Sequence, residues 1–481
     1  MKQSLVVVGS GSSPYHLVSA LVGRGATDQL SVTVVSPEPV GPYERALFPS
    51  VVAGRRRAAE LVSRPAEWYA EHGVSLRLGL RMTELDRARR EVRLSDGTVL
   101  HYDRLVLAVG SKPLSVPSWV GPGSAGAGRP PVFTLSDLAG LASLSARAAT
   151  ARSAVVVGGG PSGVEIAWAL AARGLAVDLV EAASRLMPSL LDAEAAQVMA
   201  ARLSEAGIVV HPDSVATGAS RVGDGDGDGD EVGGVAIVRR TASPDGVDAP
   251  ARERQEWVAG DMVVLACGTV ADAAAAAAAG LEVTSAGIVV DGSLRTSDPC
   301  IYAVGDCTDR SRQAGCSPEV DLQQAEALAA VLTGKQAPYS EPGLDVQLAT
   351  PGLDVVVMGE QGAFVAPPAP AATATPAATP AATAYMRNPL RGIYRAVTVE
   401  DGVLRRAVLV GDATAAPQLR AVRRSVMPLA CQPVDLIGAA IGPNGVAAPE
   451  CDRSSAADTV TKQTANTAAL RLVPSLEEAS T

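Results

Sequence analysis

Aromatic residues make up only 3% of this 481-residue chain, and its first half contains no cysteine. All six cysteines lie from Cys267 onward, and none forms a C-x-x-C pair. That spacing argues against a disulfide framework and favours a reducing compartment, the cytoplasm. Cys300, Cys307 and Cys316 are too irregularly spaced for zinc, and Cys431 and Cys451 stand alone, so no metal site is expected. The four histidines, His16, His72, His101 and His211, are scattered along the chain. No stretch approaches the ~20 apolar residues of a membrane helix. The "LVVV" after Lys2 is too short for a signal peptide, and no small-residue cleavage pattern follows it. Basic charge is also short: the net charge of -10 argues against a nucleic acid or an anionic membrane as partner. The length exceeds what one ordinary core accommodates, so two or three domains are expected.

What is present is organised around glycine. "SLVVVGSGSSPYHLVSALVGRG", from Ser4, and "SAVVVGGGPSGVEIAWALAARGLAVDLVEAASRLMP", from Ser153, share one plan. Each has a valine-rich strand suited to burial on both faces, a glycine turn, and then apolar residues at helical spacing. Two such starts predict an α/β protein with two doubly wound, Rossmann-like modules. "YDRLVLAVGSKP", "GDMVVLACGTV" and "PCIYAVGDCTD" read as further buried strands running into glycine turns.

The second turn satisfies G-x-G-x-x-G with Gly158, Gly160 and Gly163, and Pro161 and Ser162 open its helix. Glycine there permits a tight turn, close approach of a pyrophosphate to backbone amides, and close packing of helix on strand. Glu181 ends the next strand, where an acid can accept hydrogen bonds from a ribose 2′-hydroxyl. A 2′-phosphate would meet a like charge, so NADH is favoured over NADPH, although Arg185 lies close enough to blur the preference. The first turn keeps Gly9 and Gly11, followed by Ser12 and Ser13, but Pro14 stands in the third glycine's place. Its expected strand-end acid is displaced by Ser36 and Pro37, leaving Glu38 as the substitute. These residues alone leave open whether that turn binds a nucleotide or is only structural.

"GDGDGDGDE" (223–231) mimics the start of a calcium loop, but Val235 stands where glutamate is required, so a solvated loop is expected. Residues 366–384 form a Pro/Ala/Thr-rich insertion. "GIYRAVTVEDGVLRRAVLVGD" predicts a hairpin of two alternating strands turning at Glu400-Asp401-Gly402. From about residue 442 a disordered tail is expected.

Taken in order, these segments resemble the FAD-dependent pyridine nucleotide-disulfide oxidoreductase superfamily. Within it they are most similar to the flavin-containing front part of assimilatory NAD(P)H nitrite reductase large subunits and to rubredoxin and ferredoxin reductases. "PYERALFPSVVAG" (42–54) is similar to the segment beside the FAD adenosine and flavin. "YDRLVLAVGSKP" is similar to a family A-T-G strand end, with Ala108 and Gly110 kept and Val109 in place of threonine. "VVVGGGPSGVEIA" with "SRLMP" resembles the NAD site. "LRTSDPCIYAVGDC" resembles the motif whose Gly305 and Asp306 meet the FAD ribitol or phosphates.

The resemblance implies an FAD unit (1–115 and 273–335) split around an NAD unit (116–272), then a small α+β interface unit (336–441). FAD would contact Gly9, Gly11, Ser12, Ser13, Glu38, Ala108, Gly110, Gly305 and Asp306, with Arg45 either an adenosine or phosphate contact or a surface arginine. NADH would contact the Gly158–Gly163 turn, Glu181, Arg185 and Gly268. Glu165 lies either near the nicotinamide or as a solvated helix charge. Hydride would pass from NADH to flavin, with no protein side chain assigned a catalytic role. A cysteine pair near the flavin is missing from the first third of the chain, so electrons must leave to a separate acceptor. A redox partner in nitrite or nitrate assimilation is the leading reading, with a small ferredoxin or rubredoxin or a small-molecule substrate as alternatives. A non-catalytic NAD-binding relative is the rival from another class. A homodimer through the third unit is left open.

Overall fold

The computed structural model describes residues 2–9, 11–114, 119, 130–222, 232–241, 252–310, 318–335, 338–341, 343–348, 350–360, 382–424 and 433–438. The calcium-loop mimic and the C-terminal tail lie outside them, as does the insertion up to residue 381; Ala382–Ala384 already belong to the strand Ala382–Asn388.

The two glycine-marked segments build two parallel sheets. The first runs, edge to edge, Ile301–Ala303, Arg104–Leu107, Gln3–Val8, Leu30–Val35, Ser75–Arg77. The second runs Ile208–His211, Ala176–Val180, Ser153–Val157, Val263–Leu265, Val132–Thr134. The valine runs are central strands in both, which is why Leu5, Val7, Val155 and Val156 are fully buried. The first sheet takes its outer strand, Ile301–Ala303, from beyond the second sheet in sequence, so its chain is interrupted by the other module. Two antiparallel three-stranded sheets, Met82–His101 and Ser214–Ala259, were not anticipated; neither carries a glycine fingerprint.

A third, antiparallel sheet has the order Leu344–Gln347, Val355–Gly359, Val403–Val410, Ile393–Glu400, Ala382–Asn388. The predicted hairpin is its centre, turning at Asp401 (φ 50°) and Gly402 (φ 71°), the left-handed pair that a tight two-residue turn needs. Its strands do not alternate between core and water. Tyr394, Ala396, Val408 and Val410 face the second module's core, while Val397, Val399, Leu404 and Leu409 face a separate core under the helices Ala416–Arg424 and Pro433–Gly438. Tyr394 fastens the first of these contacts by donating its hydroxyl to Asp192 at 2.7 Å.

The Pro42–Gly54 segment sits at the seam between modules. Tyr43, Phe48, Val51 and Val52 are buried in the second module's core, not the first, and Arg173 donates to the Val52 carbonyl at 2.9 Å. No helix among the described residues is long and apolar enough to cross a membrane. No group of three or more His, Cys, Asp or Glu side chains among them could hold a metal ion.

Candidate functional site

The two strand–turn–helix mouths are built on the same backbone plan. Gly9 donates to the Val35 carbonyl and Gly158 to the Val180 carbonyl, each at 2.8 Å. Ala108 donates to Val8 and Ala266 to Val157, again at 2.8 Å. Gly9 (φ 125°) and Gly158 (φ 113°) adopt backbone that L side chains rarely enter, and an added Cβ would collide with the carbonyl of Ala108 or Ala266 respectively. Ala108-Val109-Gly110 thus corresponds to Ala266-Cys267-Gly268. At the following glycines, Gly11 and Gly160, a Cβ would meet nothing within 4 Å: both mouths open onto free space.

The mouths differ at the third glycine. At Gly163 a Cβ would be driven into the Gly158 carbonyl, so only glycine fits. Pro14 instead is the third residue of the Ser12–Gly23 helix, whose first intrahelical bond runs from the Tyr15 N–H to the Gly11 carbonyl. The N–H that proline lacks would have been one of the helix's free amides, so the helix loses no internal bond. No side chain caps either helix.

Around the second mouth lies a cleft of about 500 Å³ lined by Gly158, Gly160, Pro161, Ser162, Glu181, Cys267, Gly268 and Thr269. The Glu181 carboxylate accepts the amides of Gly159 (2.5 Å) and Ala183 (2.6 Å), which fixes it at the cleft wall and leaves further lone pairs on each oxygen. Arg185 is tied to backbone: it donates to the carbonyls of Pro188, a cleft-lining residue, and Leu191 at 3.2 and 3.3 Å. Gly163 lies behind the wall, not on it. Glu165 accepts the Thr350 hydroxyl at 3.1 Å, so it links the second module to the third sheet and is not a solvated charge. Partial burial and the Glu181 charge push the Cys267 thiol up.

At the first mouth, residues about three hundred positions apart meet. Gly305 (φ 79°) packs so closely on Ser13 that a Cβ would strike the serine hydroxyl. The buried Gln324 side chain holds the Gly305 amide at 2.7 Å. Asp306 accepts the Ser111 hydroxyl at 3.2 Å, next to Gly110. Gly9, Gly11, Ser12, Ser13, Ala108, Gly110, Gly305 and Asp306 therefore converge. Glu38 forms a neighbouring cluster, accepting the Tyr43 hydroxyl at 2.7 Å and pairing with Arg45 at 3.2 Å. Arg45 is half-exposed but paired, so it is not a free surface arginine.

Sequence reasoning missed Ser111, Tyr43, Thr350 and, above all, Asp321, whose carboxylate accepts the Ser13 hydroxyl at 2.6 Å. Two of the four lie inside segments the sequence had already marked. Ser111 adjoins the Ala108–Gly110 turn and Tyr43 lies within Pro42–Gly54, whereas Asp321 and Thr350 belong to no motif at all.

Comparison with known proteins agrees with this construction. Residues 3–327 match the pyridine nucleotide-disulphide oxidoreductase family. The chain is 32% identical over 441 residues to the nitrite reductase [NAD(P)H] large subunit of Klebsiella oxytoca, covering 91% of this chain but 42% of that protein. It is 32% identical over 343 residues to rhodocoxin reductase of Rhodococcus erythropolis, covering 70% of this chain and 73% of that one. The chain thus spans less than half the length of the first relative and about three quarters of the second. The solved ferredoxin reductase from Rhodopseudomonas palustris superposes with a TM-score of 0.70 at 26% identity, covering 91% of this chain and all of that one. Two dinucleotide-type mouths, one module threaded through the other, and a family match over two thirds of the sequence lead to one conclusion: this chain belongs to the pyridine nucleotide-disulphide oxidoreductase family.

Proposed function

We propose that this chain is a NAD(P)H-dependent flavoprotein reductase that holds FAD at the first mouth, accepts NADH at the second, and hands electrons to a separate redox partner. The observation that carries this reading is the repeated mouth: the same strand, glycine and helix backbone occurs twice in one chain, each time opening onto free space at Gly11 and Gly160. We assign residues 1–115 and 273–335 to the FAD unit, 116–272 to the NAD unit and 336–441 to the interface unit.

FAD, when bound, supplies a two-electron acceptor that can pass electrons onward. The chain's own residues bind and orient. The amides of Ser12 and Ser13 and the positive end of their helix face the place of a pyrophosphate. Asp306, positioned by Ser111, accepts hydroxyl hydrogen bonds, and the Glu38–Arg45–Tyr43 cluster meets the adenosine end. At the second mouth the amides of Gly160 and Ser162 serve the NADH pyrophosphate, and Glu181 accepts from its adenosine ribose. Glu165, tied to Thr350, couples the nicotinamide end of that cleft to the third sheet.

The test is direct. The purified chain is expected to be yellow, or to become yellow on adding FAD, and to bleach when NADH is added without oxygen. A colourless protein that takes up no FAD yet binds NADH would instead support a non-catalytic relative. For the acceptor we propose a redox partner in nitrite or nitrate assimilation, supported by the similarity to the nitrite reductase large subunit. Steady-state NADH oxidation with nitrite-reducing partners, ferredoxins, rubredoxins and small organic acceptors separates these possibilities.

Cofactor preference gives a second expected result. On this reading the Glu181 carboxylate, fixed by the Gly159 amide, would meet the 2′-phosphate of NADPH as a like charge, and Arg185 is already engaged by the Pro188 and Leu191 carbonyls. Glu181→Ala is therefore expected to lower the NADH-to-NADPH ratio of kcat/KM by about tenfold or more, the size of one close like-charge contact. An unchanged ratio would remove Glu181 from that role.

A further inference from the structure

Asp321 is the fourth residue of the helix Pro318–Leu332, in no glycine motif. Its carboxylate reaches across 308 residues of sequence to the Ser13 hydroxyl, and the Ser12 side chain also bonds it. It therefore stands at the positive end of the Ser12–Gly23 helix, which no side chain caps and whose third residue, Pro14, offers no N–H. At the second mouth the acidic side chain is Glu181, which accepts the Gly159 amide ahead of the helix, and Gly160, Pro161 and Ser162 line an open cleft.

We propose that Asp321 sets the affinity of this chain for FAD: its ionised carboxylate competes with the cofactor's pyrophosphate for the Ser12–Ser13 helix end, so FAD binds with uptake of a proton. The proposal rests on the reading that the first mouth holds FAD. Two anionic groups cannot share one helix end in a partly buried site without repulsion, and protonating the carboxylate removes that cost and leaves a neutral donor.

The groups around Asp321 point the same way. Asp306, from the turn after Ile301–Ala303, adds a second negative charge, and Tyr339 lies near on the segment following the helix. Arg45 is the cation that opposes them. Burial, reinforced by Asp306, pushes the Asp321 carboxyl up to about 6. An arriving pyrophosphate raises it further. FAD binding is thus expected to tighten as pH falls from about 8 toward 6 and to level off below, where the free protein is already protonated.

The experiment titrates FAD into the flavin-free full-length chain at about pH 6, 7 and 8, following quenching of flavin fluorescence, with wild type, Asp321→Asn and Asp321→Ala compared. Calorimetry in two buffers of different ionisation enthalpy counts the protons. The expected result is that Asp321→Asn binds about tenfold more tightly than wild type at pH 8 and loses most of the pH dependence and proton uptake. Asp321→Ala should behave alike, which separates the charge from any packing effect of either variant. Equal affinities and equal pH slopes in wild type and Asp321→Asn would overturn the proposal. If none of the three proteins binds FAD at any pH while each still binds NADH, the FAD reading fails, and this proposal fails with it.

Discussion

Gly163→Ala is expected to lose NADH-dependent reduction by at least about a hundredfold in kcat/KM, because the new methyl group cannot be accommodated. It would be driven into the backbone carbonyl of Gly158 and lie 3.3 Å from the Ala266 Cβ, so neither neighbour can yield by rotating a side chain. The Pro161–Ala172 helix must lift off the Ser153–Val157 strand, carrying the amides of Gly160 and Ser162 away from the cleft. Overpacking of this kind costs about 1–3 kcal/mol of stability. Binding suffers more, because amide-to-phosphate geometry fails with displacements near 1 Å. Thermal unfolding and NADH titration of the variant check both parts. Its flavin content should be unchanged, since the first mouth is built from other segments. Near-normal NADH turnover would show that the helix can shift without harm. Pro14 makes the contrast: at its mouth the third position already holds a larger residue, although the two helices begin bonding alike, Tyr15 to Gly11 and Val164 to Gly160.

Asp412→Ala is expected to destabilise the third sheet by about 3–5 kcal/mol, the cost of leaving a buried charge without its partner. Arg395, in the strand Ile393–Glu400, has a side chain only 2% exposed, and its Nη2 donates to Asp412 at 2.5 Å. Its Nε and Nη1 find no acceptor among the described residues, so the carboxylate is the principal compensation for the guanidinium. Urea unfolding measures the loss. Replacing both partners by apolar residues, Arg395→Met with Asp412→Leu, should recover most of it, because the cost comes from the unpaired charge. The pair also carries a pH signature. Burial alone would raise the Asp412 carboxyl, but the Thr414 hydroxyl and amide and then Arg395 hold it below the ordinary carboxylate range. A depressed carboxyl stabilises the fold above its unfolded value near pH 4 and loses that contribution as pH falls through the folded value. Wild type should therefore lose stability on acidification below about pH 4 more steeply than Asp412→Ala. Equal acid sensitivity of the two proteins would dismiss the assignment.

The consequences of these substitutions are unequal in how much of them can be read without coordinates. Gly158, Gly160 and Gly163 announce themselves, because a valine run, a glycine turn and helical periodicity are local chemistry repeated within about thirty residues. The same holds for the Asp401-Gly402 turn, where two consecutive left-handed residues are written in the residue types. Glu165 and Arg45 could be located from sequence but not resolved, since each had a free or a bound reading. Thr350 and Glu38 decide both in favour of a partner.

By itself, then, the amino-acid sequence determined the two glycine-marked modules and their turns and, through the resemblance that its motifs carry, the family. Each of these rests on side-chain size and backbone freedom over short spans, or on the order of motifs. Only the tertiary structure decided that the third sheet is buried on both faces, that Pro42–Gly54 packs on the second core, and that Arg185 bonds the Pro188 and Leu191 carbonyls. It also brought Asp321 to Ser13. Such pairings join residues hundreds of positions apart, and they are selected by how preformed elements fit together, which no periodicity within a single element records.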